Sequence, residues 1–198
     1  MIAILLNDAS FEQDIRELLM AFYPGETFTH KEEEAGEAEL IVRGVRDGNS
    51  FSLDVTPVKK EVVHFALIYP DFSNRFETKN EIKRTLYRLL SAQTGRELPW
   101  GTLTGIRPTK IPMQMLDEGK TKEEIASYMK QTYLASDEKI NLSIAIAERE
   151  RALLSRLDYK NGYSLYIGIP FCPSTCLYCS FTSYPLTAWK TLVDAYLD

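Results

Sequence analysis

All three cysteines of this chain fall within eight residues, in the order Cys172-Pro173-Ser174-Thr175-Cys176-Leu177-Tyr178-Cys179. An odd number of clustered thiols is not a disulfide framework, which would spread an even number through a secreted chain. Thiols this close together in a reducing compartment point to metal or redox chemistry. They also constrain the fold, because one loop must present three sulfurs to a common point. The run Leu165-Tyr166-Ile167-Gly168-Ile169 leads into that loop and stops at Pro170. Its apolar character predicts a buried strand over residues 164–169.

The donor set narrows the metal. A closed structural zinc site takes four protein ligands. Here there is no fourth cysteine, and neither His30 nor His64 has ligand spacing to the thiols. An iron–sulfur cube held by three thiolates keeps one iron open for a small molecule, so three cysteines are sufficient for a cluster. Zinc, or three inert thiols, remain as the lesser alternatives.

Ahead of the cysteines the hydrophobic period changes once. Residues 1–75 pattern as a small α+β accessory domain. Ile2–Leu6 is an apolar strand, and Ser10 with Gln13 has capping-box spacing. Ile15, Leu18, Leu19 and Phe22 then recur at helical spacing until Pro24-Gly25. The acidic stretch 30–39 reads as a solvated loop. Residues 40–46 and Ser50–Pro57 flank Asp47-Gly48-Asn49, a hairpin signal, and 61–69 reads as another strand.

Residues 76–160 pattern as a helical segment. Ile82, Leu86, Leu89 and Leu90 stripe a helix with Gly95 past its end. Its other side carries Lys79, Lys83, Arg84 and Arg88, read as a solvated face paired with Glu77 and Glu81 in preference to an anion site. The loop from Pro99 through Arg107 to Lys110 lacks the Gly-Lys-Ser/Thr of a phosphate loop and reads as a connector more than an anion site. The helix after it ends at Gly119. Thr121 and Glu124 make a capping box, and a longer helix is expected over 137–157. Residues 161–198 hold the strand, the cysteine loop and a final helix from Thr187 to Asp198.

A net charge of −5 argues against nucleic acid as the main partner. No apolar run approaches a membrane span, and the N-terminus turns acidic without a basic leader. These features predict a soluble, cytoplasmic protein.

The string Tyr166-x-x-Ile169-Pro170-Phe171-Cys172, continuing to Cys176-x-Tyr178-Cys179-x-Phe181, resembles the radical S-adenosylmethionine superfamily. Within it the chain resembles the anaerobic coproporphyrinogen III oxidase group, most of all its HemZ-type coproporphyrinogen dehydrogenases. The Trp100–Lys110 loop and the Ser180–Pro185 run are similar as well. The resemblance implies that Cys172, Cys176 and Cys179 ligate a [4Fe–4S] cluster whose fourth iron binds S-adenosyl-L-methionine. It implies that Tyr166 and Tyr178 lie beside that cofactor. The implied reaction is oxidative decarboxylation of porphyrinogen propionates to vinyls by a 5′-deoxyadenosyl radical, with a reductant or electron-donor protein as partner. It belongs to porphyrin and haem biosynthesis.

Two positions depart from the group. Gly168 stands where a histidine is common, and Phe181 stands where the oxidases commonly carry a fourth cysteine. In the second respect the chain looks like the HemW-type relatives, which keep the cluster and deliver haem. Radical S-adenosylmethionine cores are (β/α) barrels, and the resemblance implies only the first strand, the cluster loop and the start of the first helix of such a barrel. The expectation is therefore the front part of a longer enzyme, inactive alone.

Overall fold

The computed structural model describes residues 1–58, 63–105, 107–158 and 161–198. They form two units, Met1–Arg156 and Leu157–Asp198.

The first unit is built on a five-stranded sheet in the order β2-β1-β3-β4-β5. Its strands are β1 (Ile2–Leu6), β2 (Phe28–Thr29), β3 (Leu40–Asp47), β4 (Ser50–Pro57) and β5 (His64–Ile68). β1 runs parallel to β2 and β3, whereas β3–β4 and β4–β5 are antiparallel. β4 shows why these residues form a strand: Phe51, Leu53 and Val55 are fully buried on one face, while the intervening side chains are half-buried on the other. The strand expected over 61–69 is seen as His64–Ile68; residues 61 and 62 lie outside the described residues.

Two helices cover the inner face of the sheet, α1 (Glu12–Phe22) and α2 (Arg75–Thr94). Ile15, Leu18, Leu19 and Phe22 from α1 meet Ile82, Leu86 and Leu90 from α2 over the sheet residues Ile4, Val42 and Leu53. The Ser10–Gln13 capping box does not form. Ser10 lies inside a short 3-10 turn, Ala9–Phe11, and it is Asp8 that accepts from the Ser10 amide at 2.9 Å. The stretch expected as a solvated loop also departs from expectation. It contains a 3-10 segment, Glu32–Glu37, that lays Ala35 beside Ala3 and Leu5 on the outer face of the sheet.

A second core joins α3 (Lys110–Asp117), α4 (Lys122–Tyr133) and α5 (Asp137–Leu154) through Leu116, Ile125, Met129, Ile140 and Ile144. The Thr121–Glu124 capping box is present with both bonds, at 3.2 and 2.8 Å. The helices divide between the two cores. α2 belongs to the sheet core, and only α3 to α5 share the second one.

The basic side of α2 is not wholly solvated. Arg88 is exposed, but Lys83 is 7 % exposed and donates to Thr104 Oγ1 at 3.0 Å. Thr104 in turn donates to Glu17 on α1 at 2.9 Å. Burial lowers the pKa of Lys83 against the opposing pull of Asp14 and Glu17. This network ties the 99–110 loop to both helices of the inner layer. Gly101 fixes the same loop from the other side. Its φ is +56°, and an added Cβ would stand 2.0 Å from the Tyr133 carbonyl oxygen. Thr102 donates to that carbonyl at 2.7 Å. The loop thus serves as the connector expected; Ile106 within it lies outside the described residues.

Among the described residues no helix is long and apolar enough to cross a membrane.

Candidate metal centre

The second unit carries every cysteine. β6 (Phe171–Cys172) pairs in parallel with β7 (Tyr184–Pro185), in the register Phe171↔Tyr184 and Cys172↔Pro185. The Tyr184 amide donates to the Pro170 carbonyl at 2.7 Å. This pairing closes the cysteine loop at its base. Two short helices follow, α6 (Leu186–Trp189) and α7 (Val193–Leu197), with a 3-10 turn between them. The continuous helix expected from Thr187 to Asp198 is therefore broken.

The strand expected over 164–169 is absent. Tyr166 is 83 % exposed and Ile167 72 %, and no described segment pairs with them. A strand needs a ladder partner for its backbone and cover for its side chains, and apolar character supplies neither.

All three cysteines are free thiols; Cys172 and Cys179 are half-buried and Cys176 is exposed. The Cys179 amide donates to the Cys176 carbonyl at 3.0 Å, making the tight turn that the two intervening residues allow. Cys172 and Cys179 line a cavity of about 480 Å³ together with Tyr166, Gly168, Phe181 and Tyr196. Cys176 and Tyr178 are not among its lining residues, and Tyr178 is 89 % exposed. Two of the three cysteines therefore line the cavity. Among the described residues no three His, Cys, Asp or Glu side chains converge closely enough to hold a metal ion. The donor set still suits a cluster in its chemistry: the thiols are unpaired with one another, and no histidine or carboxylate lines the cavity beside them.

Gly168 and Phe181, the two positions that depart from the resembling group, both line this cavity. A Cβ added at Gly168 would stand 3.4 Å from Tyr166, at van der Waals contact. Packing does not demand glycine there. Tyr196 is a lining residue that the sequence reading missed. The signal lay in Trp189, Val193 and Tyr196, whose helical spacing marks one face of the terminal segment.

Comparison with known proteins supports the resemblance. The chain is 38% identical over 146 residues to the oxygen-independent coproporphyrinogen-III oxidase-like protein HemZ of Bacillus subtilis (strain 168), a stretch covering 72% of this chain. The chain belongs to the HemZ-like family. It spans 29% of the length of that relative. No family profile matches the chain, and no solved structure does. For a member of this family, the described fold is a mixed α/β region built on the five-stranded sheet, with the thiols gathered in the second unit.

Proposed function

We propose that this chain is the N-terminal part of an oxygen-independent coproporphyrinogen III oxidase, a radical S-adenosylmethionine enzyme of haem biosynthesis acting in the cytoplasm. The observation that carries the reading is the free thiol trio Cys172, Cys176 and Cys179, with two of its members on one cavity, in a HemZ-like chain. In this reading Cys172, Cys176 and Cys179 would hold a [4Fe–4S] cluster, and Tyr166 and Tyr178 would lie beside bound S-adenosyl-L-methionine. Residues 161–198 are the opening of a (β/α) barrel, and residues 1–75 and 76–160 are accessory segments ahead of it.

When bound, the cluster and the sulfonium supply one-electron chemistry able to take hydrogen from an unactivated carbon. The chain's own residues have plainer tasks. Each cysteine must lose its proton to bind iron, so loading releases protons and is favoured by higher pH. The Tyr166 ring walls the cavity next to Gly168, and Phe181 presents an apolar face at the same opening. Both would keep water from a reactive centre. A porphyrinogen would be the substrate, with a reductant or donor protein as electron source.

One observation favours a second reading. Phe181 occupies the place of the oxidases' fourth cysteine, as in HemW-type haem carriers. The test is anaerobic reconstitution of the full-length protein with coproporphyrinogen III, S-adenosyl-L-methionine and reductant, followed by chromatographic product analysis. The proposal expects protoporphyrinogen from the full-length protein and none from this segment alone. Stoichiometric haem binding without decarboxylation would replace it with the carrier reading.

A further inference from the structure

The residue before the first cysteine is held from two sides. The Phe171 ring centroid lies 5.5 Å from that of Tyr196, edge-on at 78°. On its other flank Tyr184 stands at 6.2 Å, and Tyr184 is itself 5.0 Å from Trp189. These are the separations at which aromatic pairs attract beyond their buried area. Backbone bonds reinforce the arrangement, because Tyr184 donates to Pro170 and pairs across the bridge with Phe171. The Tyr196 hydroxyl donates to the Gly168 carbonyl, which pins the segment entering the loop. Phe171 and Cys172 are half-buried, whereas Cys176 is exposed.

We propose that Tyr196 is a positioning residue for Cys172, clamping Phe171 against Tyr184 so that this thiol faces the cavity before any metal arrives. The inference rests on the reading of the three cysteines as cluster ligands. It makes those ligands unequal. Cys172 is preset by the clamp, and Cys176 swings in last on the turn it shares with Cys179. A ligand held by its neighbours loses less freedom on binding, which is how supporting residues raise the affinity of a metal site. Tyr196 reaches the loop from α7, the last helix described, so the clamp also couples thiol placement to the folding of the terminal segment.

The test needs no cluster. The metal-free, reduced chain is treated with N-ethylmaleimide for graded times, and each cysteine is quantified by peptide mass spectrometry. In the parent chain Cys172 is expected to react roughly 5-fold more slowly than Cys176, as its burial and support imply. Tyr196→Leu should raise the Cys172 rate roughly 3-fold while leaving Cys176 within about 2-fold. Tyr196→Phe keeps the ring, loses the hydroxyl bond and should fall between the two. Equal Cys172 rates in the parent and in Tyr196→Leu overturn the proposal. So does a uniform rise at all three thiols in both variants, which would mean general loosening. A second arm reconstitutes parent and variants anaerobically and follows cluster loss to a chelator. Faster loss from Tyr196→Leu, partly restored in Tyr196→Phe, supports the clamp, and identical loss from all three counts against it. Failure of the parent to take up any cluster, with the alkylation pattern as expected, would sink the ligand assignment and leave the clamp standing.

Discussion

The two units of this chain put similar apolar residues to opposite uses. In Met1–Arg156, Phe22, Phe51, Leu53 and Leu86 are fully excluded from water by opposed sheet and helix faces. In Leu157–Asp198, Tyr163, Leu165, Tyr166 and Ile167 are each more than 70 % exposed, and no described residue is buried. An apolar sequence becomes a core only when a second layer meets it. The first unit carries its own second layer in α1 and α2. The second unit offers an apolar surface instead, together with the cysteines.

The comparison predicts opposite costs for the same change. Phe22→Ala should destabilise the chain by about 3–5 kcal/mol, because a filled core site leaves a cavity. Phe181→Ala, at a site 77 % exposed, should stay within about 0.5 kcal/mol. Urea denaturation of both variants measures this. Equal losses would mean that the second unit is as tightly packed as the first.

A smaller effect sharpens the account of the first unit. Burial pushes the Glu17 carboxyl upward, but hydrogen bonds from Thr104 and Gln13 outweigh it and leave the pKa below its ordinary 4.5. A folded value below the unfolded one gives stability that is fully present above pH 4.5 and is lost as pH falls through the folded value. Thr104→Val removes the partner of both Glu17 and Lys83. The expected loss is about 1–2 kcal/mol at neutral pH, shrinking in acid as Glu17 is protonated. A loss of the same size in acid and at neutral pH would contradict the network.

What the sequence made legible was what residues decide locally. Thr121 and Glu124 are three positions apart and need only each other, so their capping box could be foreseen. The hairpin at Asp47-Gly48-Asn49 is legible for the same reason. The burial of Lys83 is not legible in the sequence, because its partner Thr104 is brought to it by a loop 21 positions away. The packing of Ala35 is hidden for the same reason, since it depends on contact with Ala3 and Leu5. The strand expected over 164–169 fails for the converse reason, since its residues have strand character but no described partner. In the candidate site the gathering of three thiols is legible from type and spacing. Tyr196 is not, because its contact with Gly168 spans 28 positions.

The most direct measurement of the central claim is iron–sulfur reconstitution of the full-length protein under strict exclusion of air, read by visible absorbance and by electron paramagnetic resonance after reduction. The account predicts about four irons per chain and a cluster signal that responds to added S-adenosyl-L-methionine. It also predicts that Cys176→Ala abolishes both. A protein that takes up no cluster, or a Cys176→Ala variant indistinguishable from its parent, would contradict it.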